Sequence, residues 1–405
     1  MKNFIYCISS NVKRLLPNTL TEKIIKYLNH RNERNKVRAI YNIGVVPSGL
    51  KQKRILLSYM LGTYLRPMES WASSGRTQDV ELAAIINSFI KKGFCVDLID
   101  YNVPPVKIGS DYDMVMGLGE GFRKALTNNP SAKRILYVTE KTPSFSARKE
   151  QERIDYLIER HGIKTTMERT GAVYKDEDYE DLSAIIAIGA ESDRQYLPKV
   201  PIWFIVPTGL FNSNFKLSDR DVTQAKKNFL WFGSGGVVHK GLDILFDVFS
   251  THPELTLHVC GASEHQLFHI HKIKPSNVII HGFVNVQSDN FVQIAKTCAF
   301  DIFPSCSEGI ATSVLTCMNH GIIPIVSQEC TIEAAGNISG ETLYDYHIDY
   351  IDQIVEKWSN YSDDFLLSQM ENTLNYAREH YNINSFARNI DAIIGEVLNT
   401  INISN

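Results

Sequence analysis

Short apolar runs separated by helix-length amphipathic stretches fill this chain, and the alternation starts twice. "KRILLSYMLG" (53–62), "CVDLID" (95–100), "DYDMVMGLG" (111–119), "KRILYVTE" (133–140), "LSAIIAIG" (182–189) and "VPIWFIVPTG" (200–209) read as buried strands. "QDVELAAIINSFIKKG" (78–93) and "KEQERIDYLIERHG" (149–162) have helical spacing closed by a glycine. Strands this apolar leave no face for water, so helices must cover both sides of a parallel sheet. The pattern restarts at Asn228 with "NFLWFGSGG" (228–236), then "LTLHVCG" (255–261), "NVIIHGFV" (277–284), "FDIFPS" (300–305) and "IIPIVS" (322–327). "KGLDILFDVFSTHP" (240–253) reads as the first helix of this second half, and the end of the chain as two helices around "NIN". No repeat at solenoid period appears. The expectation is two α/β halves with a ligand cleft between them, at the carboxyl ends of the strands.

Charge excludes some partners. A net charge of −3 and a pI near 6.5 speak against a dedicated nucleic-acid binder. Residues 1–40 nevertheless carry nine Lys/Arg against Glu22 and Glu33, a net of +7 that leaves −10 for the rest. With Ile24, Ile25 and Leu28 interspersed, this segment suits an anionic membrane surface; a solvated basic extension is the competing reading. No apolar run reaches the length of a membrane span, and "MKNFIYCISSNVKR" is too short and polar for a signal peptide. The seven cysteines form no CxxC pair and read as small hydrophobes in a reducing compartment. The expected location is cytoplasmic, peripheral at the inner face of the membrane if the basic segment binds there.

Two loops carry the chemistry. In "FLWFGSGGVVHKGLD" a strand ends at Gly233, Ser234, Gly235 and Gly236 follow, and Lys240 precedes a helix. Glycines let backbone N–H groups converge on one anion and Lys240 adds a full charge, an arrangement suited to a diphosphate. The pattern is neither GxxxxGK[ST] nor GxGxxG, so a tight turn with a surface lysine explains it equally well. In "SEGIATSVLTCMNHGIIPIVS" Glu308 stands at the carboxyl end of a strand, followed by small residues Gly309, Ala311, Thr312 and Ser313. A carboxylate there can accept two hydrogen bonds from sugar hydroxyls, or merely start a helix. "DYDMV" (111–115) imitates a metal-binding Asp-x-Asp but reads as an ordinary strand start; no metal is expected.

Taken together, these stretches resemble glycosyltransferase family 4, of the GT-B fold. "FGSGGVVHKG", "LHVCG", "VIIHGFV", "AFDIFPSCSEG" and "CMNHGIIPIVS" follow the order of that family's C-terminal motifs, and "GRTQDVELAAIINSFIKKGFCVDLID" fits its N-terminal half. The resemblance implies two Rossmann-like domains facing a central cleft, with a C-terminal helix crossing back to the first. It divides the chain into a basic extension (1–50), an acceptor-side domain (51–210), a donor domain (211–385) and the returning helix (386–405). It implies catalytic roles for Lys240 on the diphosphate and Glu308 on the donor sugar. Donor contacts fall on Gly233, Ser234, Gly235, Gly236, Phe283, Gly309, Ala311, Thr312, Ser313 and Thr316. The family's usual second glutamate, which binds ribose, falls on Thr316, and its usual loop arginine on Ser234. Gly75, Arg76 and Glu140 are acceptor or reaction-centre candidates.

The expected function is therefore transfer of a sugar from a nucleotide-sugar to a glycan or lipid-linked acceptor, with retention of configuration, in surface polysaccharide or oligosaccharide biosynthesis. No cofactor is expected, the nucleotide-sugar being a substrate. Ser234 and Thr316 keep open a non-catalytic glycan-binding or assembly subunit, and the fold keeps open a nucleotide-sugar epimerase.

Overall fold

The computed structural model describes residues 37–45, 52–66, 75–171 and 173–402. Residues 1–36, which hold Cys7 and all of the basic charges of segment 1–40 except Arg38, lie outside the described residues, and with them most of the expected membrane contact. Among the described residues no helix is long and apolar enough to cross a membrane.

The first sheet has seven strands: β1 (Ala39–Ile43), β2 (Lys53–Tyr59), β3 (Phe94–Asp100), β4 (Met114–Gly117), β5 (Lys133–Val138), β6 (Ala184–Ile188) and β7 (Ile202–Ile205), in the order β1-β3-β2-β4-β5-β6-β7. All pairings are parallel except β1 with β3. Helices α1 (Thr77–Lys91), α2 (Gly119–Asn128) and α3 (Pro143–His161) lie between strands. Pro143 opens α3, where its missing N–H is no loss, and Gly162 closes it at φ +66°. β1 corrects the expectation that residues 1–50 are an extension. Residues 39–43 are an edge strand, pinned where the Asn42 N–H donates to Asp97 at 2.6 Å.

The second sheet has six parallel strands: β8 (Asn228–Phe232), β9 (Thr256–Cys260), β10 (Val278–Gly282), β11 (Phe300–Phe303), β12 (Ile323–Ser327) and β13 (Glu341–Leu343), in the order β10-β9-β8-β11-β12-β13. Its main helices are α4 (Leu242–Thr251), α5 (Asp289–Thr297), α6 (Thr312–Met318) and α7 (Ile348–Ser359). Strand order reverses between β8 and β11 here, and between β2 and β4 in the first sheet. Loops leaving two such strands diverge and open a crevice. Helix α8 (Asp363–His380) stays on the second domain, where Asp363 accepts from Lys226 at 2.7 Å and Thr373 meets Ser339 at 2.6 Å, and the last helix, α9 (Ile383–Thr400), returns to the first sheet. On α9, Asp391 accepts from Ser88 and Lys92, each at 2.7 Å, and Glu396 from the Trp203 indole at 2.7 Å.

One core residue has a consequence for stability. Asp301, mid-strand in β11, is fully buried with the Cys317 thiol as its one weak polar neighbour among the described residues, and burial pushes its carboxyl up to about 8 against that contact. The folded state thus holds a proton that the unfolded chain releases near pH 4, so stability falls as pH rises from about 4 to about 8. We expect Asp301→Asn to abolish a slope of about 1.4 kcal/mol per pH unit in that window. Urea midpoints of both proteins at pH 5, 6, 7 and 8 check this; parallel curves would refute it.

Candidate functional site

The two switch points face each other across a cleft of about 440 Å³. From the second domain, Gly233, Ser234, Lys240, Phe283, Glu308, Ala311, Thr312, Ser313 and Thr316 line it; from the first, Gly75, Arg76 and Glu140 do so. Residues that are up to 241 positions apart in sequence thus meet in one space. A larger cavity of about 1130 Å³ lies beside the hinge at Thr208–Phe211, among residues of α1 and α9. It contains neither glycine loop nor Glu308, so the chemistry belongs to the cleft.

The loops after β8 and β11 are tied together locally. Gly241 has φ +69°, and a Cβ there would come within 2.7 Å of the Pro304 carbonyl oxygen, so only glycine lets them approach this closely. The Cys306 N–H donates to the His239 carbonyl at 2.9 Å, and the Trp231 indole to the Lys240 carbonyl at 3.1 Å. This brings the Lys240 ammonium into a buried ion pair with Glu308, which also accepts from the Ser305 hydroxyl at 3.0 Å. Burial alone would raise the Glu308 carboxyl, but Lys240, Arg169 and His239 outweigh it and hold it at about 2. Glu308 is therefore an ionised acceptor at any working pH. Its one-step proximity to Lys240 makes it an orienting group rather than a proton donor.

His239 was missed in the sequence. Its Nε2 donates to the Ser307 carbonyl at 2.7 Å, and its Nδ1 lies 3.7 Å from Glu150 on α3. Burial opposes its charge, yet Cys306 and Glu150 push it up to about 9, while its Nδ1 makes no hydrogen bond among the described residues. Glu81 was also missed. Buried on α1 and lining the cleft, it accepts the hinge Thr208 N–H at 2.8 Å, and burial raises it to about 7 against that bond. His239 stands next to Lys240 inside the glycine-loop stretch but reads there as a loop residue, and Glu81 stands in no recognisable local pattern.

Several expected contacts are placed differently. Gly309 does not open the backbone to a ligand. A Cβ there would meet the Thr139 and Ile188 carbonyl oxygens at 2.5 and 3.0 Å, so its smallness lets the first domain pack close. The Thr316 hydroxyl donates to the Thr312 carbonyl at 2.8 Å and accepts the hinge Leu210 N–H at 3.0 Å. It is engaged in structure where a ribose contact was expected. Gly235 and Gly236 turn the loop at φ +51° and +72°, and the Gly236 N–H donates to Glu168 of the first domain at 2.7 Å. Phe283, 83% exposed at the cleft rim, offers an open ring face. Glu140 lies 3.6 Å from Arg169; burial raises its carboxyl and Arg169 counters. Asp111 and Asp113 precede β4, at the end of the sheet away from the cleft, and Asp113 accepts the Arg54 N–H at 2.8 Å. Among the described residues, no His, Cys, Asp and Glu side chains gather into a group able to hold a metal.

Comparison with known proteins bears on the fold. Residues 226–356 match the family model for glycosyl transferases group 1. Solved structures sharing the fold include sucrose-phosphate synthase from Thermosynechococcus elongatus, at 10% identity and TM-score 0.58 over 86% of this chain and 100% of that one. HepE from Anabaena, in complex with UDP and glucose, aligns at 11% identity and TM-score 0.54 over 85% and 100%. WaaG, a glycosyltransferase involved in lipopolysaccharide biosynthesis, aligns at 13% identity and TM-score 0.52 over 84% and 99%. The chain spans about half, 54%, of the structure of TarM. No curated protein matches the sequence. The match to the family model covers about a third of the chain, and the solved structures show that the whole has the GT-B fold.

Proposed function

We propose that this glycosyltransferase moves a sugar from a nucleotide-sugar to a glycan or lipid-linked saccharide, with retention of configuration, in the assembly of a surface polysaccharide or oligosaccharide. The observation that carries it is the Lys240–Glu308 pair at the β8/β11 switch point, facing the other domain across a cleft. The diphosphate lies against the glycine loop and Lys240, and the sugar against Glu308, whose carboxylate accepts from its hydroxyls. As the bond to the anomeric carbon breaks, negative charge grows on the departing phosphate and Lys240 stabilises it, with no metal in this scheme. The same phosphate oxygen takes the acceptor's proton, so no separate base is required. The acceptor enters from the first domain, past Gly75, Arg76 and Glu140. HepE was solved with UDP and glucose, which makes UDP-glucose the first donor to try.

The test is thermal denaturation of the full chain with UDP, GDP, ADP and their sugar conjugates. The right nucleotide at about a hundred times its Kd stabilises the fold by about 2.7 kcal/mol. A donor that stabilises the protein should then be turned over when acceptor is added. Absence of stabilisation by every nucleotide would overturn the proposal.

A further inference from the structure

We propose that Glu168 and Arg169 form an exchange arm for the donor's diphosphate: the diphosphate displaces the Glu168 carboxylate from the Gly236 N–H and takes the Arg169 guanidinium as its second cation. The inference rests on the donor scheme above.

Three observations carry it. First, the glycine loop already holds an anion. Glu168 Oε2 accepts the Gly236 N–H at 2.7 Å, and a carboxylate oxygen and a phosphate oxygen are the same kind of acceptor. Second, Lys240 is already neutralised by Glu308. That pair alone presents no net charge to a diphosphate, and His239 beside it does not line the cleft, so a further cation facing the cleft would strengthen the hold. Third, Arg169 is in place to be that cation. It lines the cleft, its side chain is 37% exposed, and its ion pair with Glu140 is long at 3.6 Å, looser than a hydrogen bond and open to exchange for a phosphate. A Cβ on Gly236 would come within 2.6 Å of Arg169 Cγ, so the arginine stem lies on the loop itself.

The backbone beneath these side chains is fixed. The N–H groups of Glu168, Arg169 and Thr170 donate to the Glu150 carboxylate at 2.8, 3.2 and 3.0 Å, and the Thr170 hydroxyl at 2.7 Å. Glu150 in turn faces His239, the neighbour of Lys240. Exchange therefore requires two side-chain rotations and no loop movement. Arginine's planar fork suits two phosphate oxygens at once.

Neighbouring residues should thus have opposite effects. In calorimetric titration of the full chain, Arg169→Ala weakens binding of the best of UDP, GDP and ADP by about tenfold or more. Arg169→Lys restores part of the loss. Glu168→Gln tightens the same ligand by about threefold or more, because the neutral amide oxygen left on the Gly236 N–H competes more weakly than a carboxylate and no longer repels the diphosphate. Binding of the corresponding nucleoside, which lacks phosphates, is unchanged in all three variants. A merely structural role would weaken nucleoside and diphosphate alike, with a lowered Tm, and would overturn the proposal. So would unchanged diphosphate affinity in Arg169→Ala, or weakened affinity in Glu168→Gln, while wild-type binding leaves the donor scheme standing. If the wild type binds none of the three diphosphates, the donor scheme fails and the arm with it.

Discussion

Lys240→Ala lowers kcat by about tenfold or more and weakens nucleoside diphosphate binding as well. The charge it removes stands beside the leaving group, whose negative charge grows toward the transition state, and each factor of ten corresponds to about 1.4 kcal/mol. The substitution also strands the buried Glu308 carboxylate, which Lys240 helps to keep ionised. Leaving one partner of a buried pair unpaired costs about 3–5 kcal/mol, so a drop in Tm accompanies the loss of turnover. The double variant Lys240→Ala/Glu308→Gln separates the two effects. It should recover much of the Tm, because no buried charge is left alone, and recover none of the turnover. If kcat and Tm return together, Lys240 acts on the fold and not on the diphosphate.

Glu308→Gln gives a different signature. Glutamine keeps the shape and one acceptor oxygen but loses the charge that strengthens hydrogen bonds to sugar hydroxyls. Transfer falls by about tenfold or more. Affinity for the bare nucleoside diphosphate is retained or improved, since that ligand has no sugar to hold and a carboxylate beside Lys240 has gone. Steady-state turnover with donor and acceptor, set against diphosphate titration, reads the two quantities separately. Full transfer by Glu308→Gln would remove the sugar-orienting role and leave Glu308 as the counter-ion of Lys240.

Much of the architecture was legible because its signals are local. Apolar runs such as "RILLSY" in β2 and "AIIAI" in β6 are buried on both faces, and no other parallel arrangement tolerates them. Gly93 and Gly162 mark the ends of α1 and α3, where left-handed backbone follows the last turn. The edge strand β1 escaped notice because its five residues are only partly buried and their one neighbouring strand is β3. β13, with three residues, carries too short a pattern to recognise.

The sequence by itself determined that two doubly wound halves would face each other, and that a glycine loop with Lys240 and an acidic loop with Glu308 would stand at strand ends. Periodicity and glycine placement are properties of neighbouring residues, so they survive in one dimension. Tertiary structure alone decided which groups stand free to meet a ligand. Thr316 looked available for ribose until the hinge at Leu210, 106 positions away, donated to its hydroxyl. Gly309 looked like an opening for a ligand until the first domain's Thr139 and Ile188 carbonyls closed over it. Arg169 lies in a segment with no helical or strand period and showed no sign of function until folding laid it on Gly236. Hydrogen-bond capacity and charge are consumed by whichever partner arrives in space, and the decisive partners at Thr316, Gly309 and Gly236 come from distant parts of the chain.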